Sequence, residues 1–166
     1  HTLRDIYGTD VLIATGNSFT GNVLKAGYTE KMAGDMIMPN DLSAYSCKMS
    51  GAELKETVTN FVEGYQGGFT PFNRGSLPVF SGISVDIRET DDGYTLSKVT
   101  KDGKQIQDND TFTVTCLATS QHIDAYPADE NIVFDGGDIS VKDTWIGYIS
   151  DSNAILAEPE DYMVLR

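Results

Sequence analysis

Met49-Ser50-Gly51-Ala52-Glu53-Leu54-Lys55-Glu56 joins an alternating segment to a helical one, and the reading of this junction organises the rest of the chain. Before it, Tyr45, Cys47 and Met49 alternate with Ala44, Ser46 and Lys48, the period of a half-buried strand. After it, Leu54, Val58, Phe61, Val62 and Tyr65 recur at helical spacing. Ser50 and Glu53 hold the positions of a capping box, in which the serine hydroxyl accepts from an N–H of the first turn and the glutamate reaches back. A helix is expected to start there and to stop near Gly67-Gly68, where a positive φ meets no Cβ penalty.

Working outward, Asp10-Val11-Leu12-Ile13-Ala14 is a short apolar run emptying into Thr15-Gly16-Asn17-Ser18, a buried strand that delivers its end to a loop. Gly27 and Gly34 punctuate the segment that follows. Ile83, Val85 and Ile87 alternate with polar residues, and Asp91-Asp92-Gly93 leads into a run from Tyr94 to Thr100 and the turn Asp102-Gly103, which predicts an antiparallel ribbon. Phe112, Val114 and Cys116 alternate as a further strand. Val141, Trp145, Tyr148 and Ile149 mark one face of a last helix opened by Asp138 or Ser140, with Gly136-Gly137-Asp138 read as the turn before it. The class is α+β. No repeat, low-complexity segment or long linker divides the chain, so one domain over residues 1–166 is expected.

Bulk properties exclude several functions. The 166 residues carry a formal net charge of −13, which repels a phosphate backbone, so no nucleic acid partner is expected. No run approaches the roughly 18 consecutive apolar residues of a bilayer span. With no initiating Met and no leader-like start, His1 reads as an internal residue of a longer protein. Cys47 and Cys116 fall in apparently unrelated strands, and buried free thiols are the expected state of such a pair. The two histidines, His1 and His122, have no metal-ligand spacing, and no nucleophile elbow, phosphate loop or dinucleotide fingerprint occurs. Asp108-Asn109-Asp110 and Asp91-Asp92 read as solvated turns, because neither continues into a calcium loop.

From Asp10 to Leu165 the order of features resembles the C-terminal domain of the 5′-nucleotidase family, which includes UDP-sugar hydrolases and cyclic-nucleotide phosphodiesterases. Met38-Pro39, a strand, and then Ser50-Gly51-Ala52-Glu53-Leu54-Lys55 are similar to that family's L-P-F-G, strand, T-G-x-x-L-K pattern. Val79-Phe80-Ser81-Gly82-Ile83-Ser84-Val85 is similar to its Q-V-S-G-[LI]-x-V segment, and Lys101-Asp102-Gly103-Lys104 before the strand at residues 111–116 to its N-G-K/T turn. The resemblance implies a layered α/β/β/α fold with mixed or antiparallel sheets. It also implies an upstream metallophosphatase domain holding two divalent metal ions, with this chain on the substrate side, binding none of its own and catalytically inert alone. A location outside the cytoplasm, whether secreted, periplasmic or at the cell surface, is the family's expectation.

The family's substrate positions compare residue by residue. Its N-G-G-G-I-R strand end reads Thr15-Gly16-Asn17-Ser18-Phe19-Thr20 here, so Thr20 replaces an arginine. A hydroxyl lacks the permanent charge and forked donors with which a guanidinium holds phosphate. The stacking Phe after the family's Pro is Asn40, and a second, in N-F-x-x-x-G-G-D-G-[FY], is Ala118. Asp124, a ribose ligand in the family, and the aromatic Tyr126 persist. Phe72 and Arg74, in a Gly-flanked loop, and His122 are candidates to compensate. Against that stands the plainer reading in which Phe69 and Phe72 pack a helix end, Arg74 is solvated, His122 is a loop residue and Tyr126 belongs to the core. Two functions fit: the substrate-side part of a nucleotidase-like hydrolase with an atypical nucleotide or related small molecule, or a degenerate cell-surface binding or structural module.

Overall fold

A computed structural model describes residues 2–15, 18–20, 29–63, 78–91, 93–120, 123, 126, 132, 135–152 and 163–165. The opening junction forms as spaced. Strand β2 (Ser43–Ser50) runs directly into helix α3 (Gly51–Glu63). The Ser50 N–H donates to Glu53 Oε2 at 2.6 Å and the Glu53 N–H donates to Ser50 Oγ at 3.2 Å, closing the capping box. Two more N–H groups of the first turn find carbonyls in the turn at residues 107–110: Gly51 donates to Asp110 O (2.8 Å) and Ala52 to Asp108 O (3.2 Å). Lys55 pairs with the Asp108 carboxylate. The acidic cluster at Asp108 and Asp110 therefore caps a helix start, a role that its local sequence does not reveal. The expected stop at Gly67-Gly68 lies outside the described residues.

The remaining elements are α1 (Thr2–Tyr7), β1 (Val11–Thr15), α2 (Glu30–Gly34), β3 (Pro78–Ser81), β4 (Ser84–Thr90), β5 (Gly93–Lys101), β6 (Lys104–Gln105), β7 (Thr111–Ala118), β8 (Asp135–Ser140), α4 (Val141–Ser152) and β9 (Met163–Leu165). Five strands form one sheet in the order β3-β1-β7-β2-β8, and four form a second in the order β6-β5-β4-β9. Both sheets are mixed: β1 runs parallel to β7 and β4 parallel to β9, while the other pairs are antiparallel.

Alternation along the five-stranded sheet divides the core. Val11, Ile13, Cys47, Met49, Val114 and Cys116 face one cluster, which α3 joins through Leu54, Val58 and Phe61 and the second sheet through Val85, Ile87 and Val99. Leu12, Ala14, Ala44 and Leu117 face the other cluster, closed by Leu3 of α1, Ala33 of α2 and Val141, Trp145 and Ile149 of α4. Strand β1 reads as a continuous apolar run because both of its faces are covered. Complete burial of each of Leu54, Val58 and Phe61 contributes about 1.5–3 kcal/mol. The result is α+β, with two mixed sheets packed among helices.

The segment from Val79 to Val85 divides between the sheets: β3 belongs to the first and β4 to the second, and the chain crosses between them at Gly82 (φ +90°). Some local readings change. Gly136 and Gly137 (φ +110° and +92°) are not a turn but part of β8, where the register against β2 shifts between Ala44 and Tyr45. A Cβ on Gly136 would stand 2.6 Å from Ala44 O, so the bulged pairing needs glycine. Asp138 accordingly lies in the strand, and Ser140 is the cap of α4, its Oγ accepting from Asp143 N at 3.1 Å. The cysteines are both free and buried, as expected, but their strands are neighbours. With Cys47 opposite Val114 and Tyr45 opposite Cys116, the two thiols are diagonal neighbours on one face. A hydrogen bond from Cys116 holds the Cys47 thiol below its ordinary value, and burial pushes Cys116 well up. Helices α1 and α2 were not anticipated; six and five residues are too short for periodicity to register.

Asp10 ties the start of β1 to β7. Its Oδ2 accepts from Thr113 N (2.9 Å) and from Thr113 Oγ1 (2.8 Å), and its own N–H donates to Thr113 O (3.0 Å). The Thr113 backbone N–H, foremost, holds the carboxyl below the usual carboxylate value against the opposing effect of burial. A depressed folded-state pKa stabilises above the unfolded value and is lost as pH falls through the folded one. Asp10→Asn is therefore expected to cost about 1 kcal/mol at neutral pH, discounted for solvent exposure. In urea titrations, the gap between wild type and variant should close as pH falls below the ordinary carboxylate range; a gap that persisted undiminished in acid would contradict this account.

Candidate functional site at one edge of the five-stranded sheet

Strand direction gathers several of the candidate positions. Because β1 and β7 are parallel with Ile13 beside Cys116, their C-terminal ends, Thr15 and Ala118, reach the same edge of the sheet. Antiparallel pairing brings the starts of β2 and β3 there too, with Ser43 opposite Ala118 and Pro78 opposite Thr15. The end of β8 joins them at Ser140, opposite Ser43. Ligands commonly bind outside the carboxyl ends of parallel strands, where the chain must turn away.

At this edge Thr15 Oγ1 lies 3.4 Å from Ser18 Oγ. Phe19 bridges to Ile37, and Thr20 is pinned beside it, its N–H donating to Met36 O (2.9 Å) and its Oγ1 to Asp35 O (3.0 Å). The Thr20 hydroxyl is thus committed to backbone. Asn40, which follows the cis Met38–Pro39 bond, accepts from Lys142 Nζ at 2.8 Å through its Oδ1. Ala118 is 5% exposed and belongs to the larger core cluster. A ring at that position would enter the core between the sheets.

Tyr126, for which the sequence left open a compensating role beside the plainer reading as core, is a core residue. It is 4% exposed, its ring packs against Phe61 with centroids 5.2 Å apart, and its hydroxyl donates to Leu117 O (3.3 Å) and Ile13 O (3.5 Å). Burial pushes its phenol well above the ordinary value. Phe72, Arg74, His122 and Asp124 lie outside the described residues.

One residue missed from sequence stands at the edge: Lys142. It is the second residue of α4, and its separation of 102 positions from Asn40 leaves no local signal. Its ammonium also contributes, after Lys31, to holding the Asp35 carboxyl below its usual value. The stem passes close to α2, where a Cβ on Gly34 would meet Lys142 Cε at 2.7 Å. Among the described residues no three of His, Cys, Asp and Glu are grouped as a metal set, and no helix is long and apolar enough to cross a membrane.

Two mixed sheets packed among helices, with one sheet edge collecting the end of β1, the approach to β2 and the end of β7, make the arrangement of a nucleotidase C-terminal domain. The chain belongs to the 5′-nucleotidase C-terminal domain family, whose model matches residues 2–128. An uncharacterized metallophosphoesterase of Bacillus subtilis, YunD, is 26% identical over 125 residues, which is 70% of this chain and 27% of that protein. Among solved structures, the NAD nucleotidase of Haemophilus influenzae superposes with a TM-score of 0.73 at 16% identity, over 99% of this chain and 32% of the other. The 5′-nucleotidase precursor of Thermus thermophilus gives 0.74 at 12% identity, over 98% and 32%. A putative 5′-nucleotidase of Staphylococcus aureus gives 0.73 at 17%, over 98% and 34%. This chain therefore spans between a quarter and about a third of the length of these relatives, and the shared fold is that of the nucleotidase C-terminal domain.

Proposed function

We propose that this chain is the substrate-side domain of a 5′-nucleotidase-like hydrolase acting outside the cytoplasm, joined in the whole protein to a metallophosphatase domain, and that its nucleotide site is altered. The reading is supported by the sheet edge where β1 and β7 end and β2 begins, and by the resemblance, which equates Thr20, Asn40 and Ala118 with an arginine and two rings, although the Ala118 side chain itself faces the core. Two divalent ions in the metallophosphatase domain would activate water and stabilise charge on the phosphoryl oxygens. The part left to this domain is positioning: holding the leaving group so that the phosphorus reaches those metals. With Thr20 bonded to backbone, Lys142, which donates to Asn40, offers a cation for that task, and an ammonium acts as a point charge where a guanidinium grips in two places.

The test compares the protein extended upstream of His1 with the 166-residue chain, using bis(p-nitrophenyl) phosphate and manganese. Hydrolysis is expected from the extended protein, abolished by a chelator and restored by metal, with only background turnover from the short chain. An extended protein that hydrolyses nothing, with or without metal, overturns the reading in favour of a degenerate surface binding or structural module.

A further inference from the structure

The helix-covered face of the five-stranded sheet continues toward the starts of β1 and β7, where it floors an open cleft of about 540 Å³. Register decides which side chains stand on that floor. Ser46 and Lys48 follow Ala44 at a period of two, and Thr113 and Thr115 precede Leu117 in the same way, so all four share the face on which Ala44 and Leu117 meet the helices. Asp135 is opposite Ser46 across the β2–β8 pair, and Thr113 is opposite Lys48 across the β2–β7 pair; opposite residues point to the same side. The turn after α1 makes one wall, with Thr9 bonded to the floor through Thr115 and with the Tyr7 phenol oxygen buried out of the cleft. Solvent reaches the floor: Ser46 is half-buried, and Lys48 and Asp135 are exposed.

The hydroxyl protons on this floor are all committed. Thr9 gives its one hydroxyl hydrogen to Val11 O (3.2 Å), so in its bond with Thr115 Oγ1 (3.1 Å) the Thr115 hydroxyl is the donor. The Thr115 hydrogen being used there, Ser46 Oγ donates in the next bond, to Thr115 Oγ1 at 3.1 Å. Thr113 donates to Asp10 Oδ2. Ser46 is left with lone pairs to offer, and the Asp135 carboxylate opposite it is likewise an acceptor. Lys48 is the one cation lining the cleft among the described residues, and neither it nor Asp135 is held in an ion pair there. We infer that this cleft binds a small zwitterion, a compound carrying an ammonium and a carboxylate a few bonds apart. As cross-strand partners, Ser46 and Asp135 have Cβ atoms about 4.5–5.5 Å apart, so both can accept from one ammonium. Lys48 stands about 6.5–7 Å further along β2, and its flexible stem carries a donor to the carboxylate. An anion alone would confront the acceptors, and a cation alone would confront Lys48. The cleft lies at the opposite end of β1 and β7 from Thr15 and Ala118, and the inference stands whether or not the nucleotidase reading does.

The test uses β-alanine and two one-ended compounds of the same length, propylamine and propionate. The 166-residue chain is titrated at about 0.15 M salt, which screens the long-range pull of its net charge of −13 on any cation. The backbone amide resonances of Ser46, Lys48 and Asp135 are followed in proton–nitrogen correlation spectra. β-Alanine is expected to move them saturably, with a dissociation constant of about 1–10 mM, and to bind about fivefold more tightly than propylamine. Propionate at the same concentrations should leave them in place. Asp135→Asn should abolish the saturable shifts at Ser46 and Lys48, and Lys48→Gln should reduce β-alanine to the affinity of propylamine; both replace exposed side chains, and circular dichroism checks that the variants are folded. Wild-type resonances that stay still under an excess of β-alanine, or that respond equally to propylamine or to propionate, overturn the inference. So does either folded variant that binds β-alanine as tightly as the wild type.

Discussion

Gly82→Ala is expected to destabilise the fold by about 3 kcal/mol, combining a backbone held at positive φ with a steric clash. In a domain of this size that lowers the melting temperature by roughly 6–12 °C. Gly82 sits where the chain leaves β3 in the first sheet and enters β4 in the second, at φ +90°. A Cβ there would lie 2.0 Å from Asp10 O and 2.9 Å from Arg4 Nη1. The arginine can swing aside; the Asp10 carbonyl cannot, because its residue is tied to β7 through Thr113. Gly103 supplies the control. It too has positive φ (+76°), but nothing lies within 4 Å of its would-be Cβ, so Gly103→Ala should show the conformational penalty alone, about 1–2 kcal/mol. Gly51 supplies the converse, with no left-handed φ but a Cβ position 1.9 Å from Gln107 O. Calorimetric melting of the three variants separates strain from clash, and a Gly82→Ala protein melting within a degree or two of wild type would refute the argument.

These glycines also explain which parts of the molecule the sequence exposes to reading. Gly51 and Gly82 both fall inside the segments through which the chain resembles its family, Ser50-Gly51-Ala52-Glu53 and Val79 to Val85. What those segments share with the family is backbone necessity: a helix start jammed against the 107–110 turn and a crossing between sheets. Capping, alternation and glycine placement are local, so β1, β2, α3, the β4–β5 ribbon, β7 and α4 are all readable in one dimension. The site is not local in this sense. Lys142 meets Asn40 across 102 positions, and Cys47 meets Cys116 only once β2 has paired with β7. Gly136-Gly137 shows the limit from the other side, since a pair of positive-φ glycines looks the same in a turn as in a bulged strand.

AMP is expected to bind this chain with a dissociation constant weaker than about 1 mM, which corresponds to only about 4 kcal/mol of binding free energy. Each aromatic face in a base sandwich contributes about 1–3 kcal/mol, so the absence of both removes about 2–6 kcal/mol. A lost charge-assisted bond at position 20 removes about 1.5–3 kcal/mol more. The Thr20 hydroxyl offers no substitute while it donates to Asp35 O, and a net charge of −13 opposes a phosphate dianion at long range. The structure also says which losses can be reversed. Ala118 is enclosed in the larger core, so Ala118→Phe would overpack it instead of presenting a ring to a ligand. Asn40 is exposed enough to replace, and its removal releases Lys142 from the bond that now occupies it. Thr20→Arg combined with Asn40→Phe is therefore expected to gain at least about tenfold in AMP affinity through one restored ring and one restored charge, with Lys142 freed to assist. Titration calorimetry at low ionic strength, where such charges are least screened, checks both halves. Micromolar AMP affinity in the wild-type chain would mean that other side chains already complete the site, and a double variant no tighter than wild type would mean that the sheet edge is not where the nucleotide lies.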